Sequence, residues 1–192
     1  NPATPGQVVK GAKVIPVAVG LLNPNGDEVQ PTIVLELSEA SQSFVFDGLA
    51  VRPIASVLRG FSAPVVLERQ VSAAERAVLL AHDSDPFNRW EAGRALAKDV
   101  LARMITEGSQ PLPELLDGLA RLVFDDALDP AFRALALRLP GEDDMAATLH
   151  GAGHVPDPAR IHGARKALHL AVAQALSPRL AQLEASLRQG GA

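Results

Sequence analysis

The sequence contains no cysteine and no tyrosine, and it has one tryptophan and six phenylalanines among 192 residues. Without cysteine there is no disulfide, no thiolate nucleophile and no cysteine-bound metal. Aromatic residues make up only 4% of the chain, whereas apolar residues make up 47%. The predicted core is therefore aliphatic, built from leucine, valine and alanine.

The chain also lacks an excess of basic charge and a long apolar run. Its net charge is −4, and no basic stripe occurs, so nucleic acid is not an expected partner. No apolar run reaches the roughly 18 residues that a membrane span needs, and the first residues contain no secretory signal. We therefore expect a cytoplasmic protein with no membrane contact. Because the chain starts on a polar, proline-rich segment without methionine, we expect it to be part of a longer one.

Strand patterns fill the first third of the chain. Five short runs predict strands: residues 17–21, 33–37, 44–46, 56–59 and 64–70. Asn25-Gly26 predicts a hairpin turn, because both residues tolerate positive φ. Pro16 has no N–H and indicates an edge or bulged strand. Since an immunoglobulin-like sandwich has about seven strands, we expect an incomplete sandwich that lacks strands on its N-terminal side.

Helical patterns begin at Ser72 and continue to the end of the chain. Ser72 and Glu75 have the spacing of a capping box. A cap residue followed by proline predicts four further helix starts: Asp85-Pro86, Asp129-Pro130, Asp157-Pro158 and Ser177-Pro178. Apolar residues at helical spacing follow these prolines and Pro111, so an antiparallel helical array is the expected architecture. The predicted organisation is a linker (1–12), a β-sandwich domain (13–71) and the first helices of an α-helical domain (72–192).

His150 and His154 have the spacing of a helical metal pair. Gly151 and Gly153 lie beside them, and two glycines destabilise a helix by roughly 2 kcal/mol relative to alanine. No glutamate follows His150 as the HExxH pattern requires. We therefore predict a loop here and no metal site.

The other polar groups have ordinary structural explanations. A solvated or interface helix face is expected for His162, Arg165, Lys166 and His169, with an anion site as the alternative. Helix capping explains the acidic groups Asp125-Asp126, Asp129 and Glu142-Asp143-Asp144. His82 is expected at a helix end, and Trp90 with Phe87 in core or interface packing. The sequence thus predicts no catalytic residue, no cofactor-binding residue and no metal ligand.

Residues 44–68 (FVFDGLAVRPIASVLRGFSAPVVLE) and 82–96 (HDSDPFNRWEAGRAL) resemble the aminopeptidase N family of zinc metallopeptidases, in its bacterial form. Residues 15–29 and 125–140 fit the same family. The resemblance implies a small β-sandwich followed by the opening helices of the family's C-terminal helical domain. The family's HExxH motif, downstream glutamate ligand, GxMEN motif and catalytic tyrosine have no counterpart here, so zinc would be bound elsewhere in the parent enzyme.

The resemblance also implies a role. The sandwich would brace the catalytic domain against the helical one, and the helices would help enclose the route to the active site. The parent would remove N-terminal residues from peptides by means of a zinc-polarised water. Its catalytic domain and remaining helices are the expected partners, and an independent peptide- or protein-binding module is the alternative.

Two expectations concern the helical surface. A helical array that ends within its stack exposes the apolar face that the next helix would cover. We expect Leu176, Leu180, Leu183 and Leu187 near such a face, through which chains could pair. Whether Arg89, Arg165 or Lys166 line the parent's peptide channel is left open by the sequence.

Overall fold

The computed structural model describes residues 4–7, 11 and 13–190, apart from the side chains of 186, 187, 189 and 190. Three strands precede six helices: β1 (Ile15–Leu22), β2 (Glu28–Leu37), β3 (Ile54–Val57), α1 (Ala73–His82), α2 (Pro86–Glu107), α3 (Pro113–Val123), α4 (Pro130–Ala136), α5 (Glu142–Gly151) and α6 (Pro158–Gly190). A 3-10 turn at Arg59–Phe61 follows β3. The predicted class, a partial sandwich followed by an antiparallel helical array, is confirmed. Of the predicted linker, residues 1–3, 8–10 and 12 lie outside the described part.

The strands form one antiparallel sheet in the order β2-β1-β3. The predicted hairpin turn joins β1 to β2: the Asn23 N–H donates to the Asp27 carbonyl (2.8 Å), and the Gly26 N–H donates to the Asn23 carbonyl (2.9 Å). Gly26 has φ 94°, a conformation that glycine adopts without strain. The turn prediction is confirmed.

Pro16 lies in the central strand, so an edge position for β1 is wrong. β3 pairs only with the stretch from Val19 to Leu22, and Pro16 lies beyond its end. The missing N–H of Pro16 therefore interrupts no ladder. The alternative, a bulged strand, agrees with the structure, because the register of β1 against β2 shifts between Val19 and Leu22.

Two predicted strands, 44–46 and 64–70, are irregular, which corrects the prediction. Residues 64–70 pass the outer edge of β3, but the Ala55 carbonyl accepts from the side chain of Arg69 (2.6 Å) and the Val57 carbonyl from Asn88 (3.1 Å). Side chains thus occupy the ladder positions that a strand would need. At 44–46, Val45 is 81% exposed, and no strand in the described residues pairs with this run.

The predicted helix starts hold at Ser72, Asp85, Asp129 and Asp157. The Ser72 Oγ accepts from the Glu75 N–H and the Glu75 carboxylate accepts from the Ser72 N–H, which completes the capping box. Each of the three aspartates accepts at least one hydrogen bond from a backbone N–H in the first turn of its helix.

The predicted start at Ser177-Pro178 is wrong, because α6 continues through it. Pro178 lacks the N–H that would donate to the Gln174 carbonyl. The hydroxyl of Ser177 donates to that same carbonyl at 3.5 Å. The gap in the helix ladder is therefore partly filled, and the long helix persists.

One aliphatic core joins the sheet to the helices, as Leu22 and Ile54 belong to the same buried cluster as the helical residues. Leu80 of α1, which is 1% exposed, belongs to this cluster. A Cβ added at Gly93 or Gly118 would lie 2.9 Å or 2.6 Å from a methyl carbon of Leu80. Glycine at these two positions allows α2 and α3 to approach α1 closely.

Candidate functional site: the junction between the sheet and the helices

A buried arginine links the sheet to the loop between α1 and α2. Arg59 is 4% exposed. Its Nη1 donates to Glu28 (2.6 Å) and Thr32 (2.9 Å) of β2, and its Nε donates to the Ser56 hydroxyl of β3 (2.9 Å). Its Nη2 donates to Asp83, the residue that follows α1 (2.9 Å). One guanidinium therefore binds both halves of the chain, and we call these five residues the Arg59 cluster.

The backbone around Arg59 is shaped to bury its side chain. Leu58 and Phe61 have φ values of 63° and 54°, which bulky residues rarely adopt and which store strain. The guanidinium lies against β1 at Gly20, where an added Cβ would be 2.1 Å from the Arg59 Cζ. A glycine in β1 is thus required for Arg59 to reach its partners.

The loop between α1 and α2 is held on both sides. The Ser84 hydroxyl donates to Glu28 (2.8 Å), and the Gly60 N–H donates to Asp85 (2.8 Å), which also caps α2. The Asn88 amide in the first turn of α2 donates to the Ser56 hydroxyl (2.7 Å). The start of α2 is therefore bound to the sheet by side chains as well as by the core.

The two carboxylates bound to Arg59 have different electrostatics. Burial raises the pKa of Asp83, opposed by the Ser56 hydroxyl, the Asp85 N–H and the Arg59 charge. The hydrogen bond from Arg59 lowers the pKa of Glu28. Asp83 Oδ2 is buried and has no hydrogen-bond partner of ordinary geometry among the described residues. Moving a carboxylate from water into the protein interior is costly. The burial of a charged Asp83 therefore depends on its ion pair with Arg59.

His82 ends α1, as predicted, and contacts the β1–β2 turn. A Cβ on Gly26 would lie 2.3 Å from the Cγ of the His82 ring. Partial burial lowers the pKa of His82, helped by the charges of Arg121 and Arg89 and opposed by Asp27. The neutral imidazole therefore packs on the glycine, and the turn residue serves the junction as well as the hairpin.

A second buried arginine fixes the helices to one another. Arg89 is 5% exposed. It donates to the carbonyls of Leu80 (3.1 Å) and Ala81 (3.3 Å) at the end of α1, and to Asp125 after α3 (2.7 Å). Its hydrogen bond lowers the pKa of Asp125. Arg89 thus has a packing role, and its guanidinium is not on an open surface.

No pattern in the sequence marks Arg59, Asp83 or Arg89 as members of a site. The sequence near Asp83 predicts only a helix start, which is marked by Ser84, Asp85 and Pro86. The carboxylates that pair with the two arginines lie 24 to 36 residues away from them in sequence, so spacing within one element could not reveal these pairs.

The predicted loop at His150 and His154 is wrong for the first histidine. His150 and Gly151 lie in the last turn of α5, whereas His154 follows Gly153, which has φ 82°, so the two histidines do not share a helix. The His154 N–H donates to the Leu149 carbonyl (2.9 Å) and closes the helix end. Across the described residues, no three histidine, aspartate or glutamate side chains are grouped as a metal would require.

The histidine- and arginine-bearing face of α6 is partly an interface with the start of α5. Glu142 contacts His162 Nδ1 (2.9 Å) and Arg165 Nη1 (3.2 Å). Arg165 also donates to the Pro140 carbonyl (2.7 Å), while Lys166 and His169 are exposed. Glu142 therefore neutralises part of the positive charge that the anion-site alternative would need.

The acidic groups lie at helix ends, as predicted. Glu142, Asp143 and Asp144 occupy the first turn of α5. Asp144 additionally pairs with Lys98 (2.7 Å) and with Arg94 of α2. The hydrogen bond from Lys98 lowers the pKa of Asp144.

The first-turn carboxylates of α5 make no side-chain cap hydrogen bond, and Asp144 docks α5 on α2. Capping is therefore wrong for them and for Asp125, which follows α3 and binds Arg89, whereas it holds for Asp129.

An apolar groove opens where the two halves meet. Its volume is about 430 Å³ and its lining includes Phe61, Val65, Val66, Leu79 and Phe87; we call it the aromatic groove. Phe61 is 67% exposed and Val66 is 89% exposed. The rings of Phe61 and Phe87 are 3.7 Å apart between centroids. This groove is the part of the junction that faces solvent.

The predicted leucine face of α6 is only partly open. Leu176 is 2% exposed and belongs to the core, so its place on an open face is wrong: it packs with Leu168 and Val172 on the buried side of the helix. Leu180 is 36% exposed, Leu183 is half-buried, and the side chain of Leu187 lies outside the described residues.

Among the helices that the structure describes, none combines the length and apolar character needed to cross a bilayer.

Two family models match the chain. Residues 1–70 match a domain of unknown function, DUF3458, described as an Ig-like fold, and residues 73–192 match its companion DUF3458_C, described as ARM repeats. These descriptions agree with the sheet and with the stacked helices.

Curated relatives include aminopeptidase N of Caulobacter vibrioides, 38% identical over 176 residues, and aminopeptidase N of Escherichia coli, 30% identical over 192 residues. The alignments cover 91% and 94% of this chain but only 20% and 22% of those proteins. A similar solved structure is Legionella pneumophila aminopeptidase A in complex with aspartic acid, with TM-score 0.73, 26% identity, and coverage of 90% of this chain and 20% of that one. The chain thus spans about a fifth of the length of these relatives.

Proposed function

Because the chain belongs to the aminopeptidase N family, we propose that it is a non-catalytic framework within a zinc-dependent aminopeptidase. Its sheet braces the catalytic domain against the helical domain, and its helices help enclose the route to the active site. The parent enzyme removes N-terminal residues from peptides in the cytoplasm. The observation that carries this proposal is the Arg59 cluster, which holds the two halves of the chain in one orientation.

A brace must resist bending at the point where its two parts meet. Here a hinge motion would separate Arg59 from either Glu28 of the sheet or Asp83 of the helical half. Breaking a buried ion pair by removing one partner is strongly unfavourable, because it leaves an uncompensated charge out of water. The junction is therefore suited to keep the sheet and the helices in a fixed relative orientation.

The aromatic groove supports a partner on this same junction. Contiguous exposed apolar surface on a monomer is uncommon and often marks an interaction site. We assign the groove, with Phe61 and Val66 as its most exposed members, to contact with the catalytic domain. Further helices of the helical domain are assigned to the open side of α6 near Leu180, where self-association of the isolated chain is also expected. Nucleic acid and membranes are not part of the proposal.

The described residues do not fit the zinc ion of this family. Zinc sites in proteins use three or four closely placed histidine, cysteine or carboxylate ligands. Cysteine does not occur in the chain, and His150 and His154 diverge around the end of α5. We therefore assign zinc, and the reaction that it supports, to segments of the parent outside these residues.

The test is the chemistry of the isolated chain. We expect the purified 192-residue protein to contain far less than one zinc per chain by elemental analysis and to hydrolyse no alanyl or arginyl amide reporter. Stoichiometric zinc together with turnover that a chelator abolishes would overturn the proposal.

An independent peptide- or protein-binding module is the second candidate, and the open aromatic groove favours it. The two candidates differ in their coding context. The framework requires a reading frame that continues into an HExxH-containing segment. A frame that encodes only these residues would instead favour the module, which should then bind peptides through Phe61 and Val66.

A further inference from the structure

Within the part of the chain that the structure describes, one edge of the sheet is closed and the other is open. β3 forms the closed edge, because its outward carbonyls at Ala55 and Val57 accept hydrogen bonds from the side chains of Arg69 and Asn88. β2 forms the other edge in the strand order. It is the longest strand of the described sheet, with ten residues, so the open edge is also the more extensive one.

The direction of the backbone groups of β2 follows from Ala18 in β1. The Ala18 N–H donates to the Ser62 hydroxyl (2.9 Å) and therefore points away from β2. Ala18 is opposite Val34, so this is a non-hydrogen-bonded pair of an antiparallel ladder. The alternate residue Leu35 is then bonded to β1, while the N–H and C=O groups of Val34 and Glu36 point outward.

This outward edge has little of the protection that natural sheets give to an edge strand. Protected edges carry lysine, proline, bulges or inward-pointing charges. The first half of β2 contains Pro31 and the register shift, but residues 33–37 pair regularly with β1. No lysine or arginine occurs in β2, and the Val34 side chain is 60% exposed. The unprotected stretch is therefore residues 33–37.

We propose that residues 33–37 of β2 pair with an extended strand contributed by a part of the polypeptide outside these 192 residues. This inference rests on the proposed function, in which the chain belongs to a longer aminopeptidase. The match to an Ig-like model supports it, since such sandwiches have about seven strands in two sheets and the described residues supply three strands in one sheet, so further strands have to come from elsewhere. The chain covers about a fifth of its relatives, so a polypeptide of their length has ample residues outside this chain to contribute the strand.

Charge argues against a second copy of the chain as the occupant. β2 contains Glu28 and Glu36 and no basic residue, so no edge-to-edge pairing of two copies sets a basic residue of β2 beside either glutamate, and a pairing centred on Glu36 brings two like charges together. Cross-strand neighbours are favourable when they are both apolar or oppositely charged. The incoming strand should therefore present an apolar residue beside Val34 and a neutral or basic residue beside Glu36.

Amide hydrogen exchange tests the inference residue by residue. The experiment compares the 192-residue chain with the longest polypeptide that its reading frame encodes. In the short chain we expect slow exchange at Leu35, which is bonded to β1, and fast exchange at Val34 and Glu36. In the long polypeptide Val34 and Glu36 should exchange at least about 100-fold more slowly, while Leu35 remains slow in both.

Three results would overturn the inference. Val34 and Glu36 could remain fast in the long polypeptide, the reading frame could add no residues, or protection could appear in the short chain and rise with its concentration, which would indicate a second copy. Failure of the proposed function is separable, because zinc and turnover in the short chain would be measured independently of exchange at β2.

A pair of variants gives a second measurement. Val34→Ala and Val34→Pro both remove the apolar side chain, but only Val34→Pro removes the outward N–H. In the short chain the melting temperatures of the two variants should lie close together. In the long polypeptide Val34→Pro should melt several degrees lower than Val34→Ala. An equal difference in both proteins would contradict pairing at this edge.

Discussion

Replacing Arg59 with methionine removes the guanidinium that the other members of the Arg59 cluster share, while keeping much of the aliphatic volume of the side chain. Asp83 would remain buried and lose the cation that donates to it, and the Ser56 hydroxyl and Glu28 would each lose a donor. Breaking a buried ion pair from one side lowers the free energy of unfolding by about 3–5 kcal/mol. Since domains are stable by about 5–15 kcal/mol, Arg59→Met should remove a large share of the total.

The matched control is Arg188→Met in α6. Arg188 pairs with Glu184 one helical turn away at 2.5 Å, and both side chains are mostly exposed. Exposed pairs of this kind contribute about 0.3–0.5 kcal/mol. Urea unfolding followed by circular dichroism gives both free energies, and a loss for Arg59→Met no larger than that for Arg188→Met would refute the structural argument.

The pH dependence of Arg59→Met provides a check on the cause. Burial already raises the pKa of Asp83, and without the arginine charge it should rise further. A raised folded-state pKa adds stability below the unfolded value, about 3.9, and that stability is lost as pH rises through the folded value. The penalty of Arg59→Met should therefore shrink as pH falls from 7 toward 4. In Arg59→Met/Asp83→Leu most of the loss should be restored, because no unpaired buried charge remains.

Two further predictions concern packing and acid. Gly118→Ala should lower the free energy of unfolding by about 1–3 kcal/mol, since its Cβ would lie 2.6 Å from a methyl carbon of Leu80. In the control Gly163→Ala the added Cβ would meet no neighbouring group within 4 Å, so this variant should be neutral or stabilising by up to about 1 kcal/mol in chemical denaturation. The pKa values of Glu28 and Asp125 are lowered by their arginines, so their stabilisation is present above the unfolded values near 4 and is lost as pH falls through the lower folded values. Melting temperatures should drop between about pH 4 and pH 2. The contribution of Asp83, whose pKa is raised, changes mainly above about pH 4 and does not offset this drop; melting that is independent of pH between pH 4 and pH 2 would contradict these assignments.

Several elements follow from short-range chemistry and were predictable. The cap at Ser72 and the aspartate-proline starts depend on groups within three residues of each other, and the Asn25-Gly26 turn depends on a local positive φ. The alternation in 17–21 and 33–37 likewise marks strands that pair with each other in one hairpin. These interactions close within a few residues, so the sequence alone carries the information.

Other elements depended on partners that a local pattern cannot supply. Residues 64–70 have strand character, but Arg69 bonds β3 with its side chain instead of its backbone. At Ser177-Pro178 the start signal is real in isolation, yet packing of Leu176 and the bond to Gln174 keep the long helix continuous.

The sequence by itself determined the order of a sheet and then helices, the starts of four helices and the aliphatic character of the core, and its resemblance placed the chain in its family. Tertiary structure alone decided the junction, because burial of Arg59 requires Gly20, Glu28 and Asp83 to meet from three separate elements. Helix caps and turns are energetically local, whereas the partner of a buried charge is set by which surfaces pack together. Helix caps and turns can therefore be predicted from residue spacing in a single sequence, whereas the partners of a buried charge are known only from the fold.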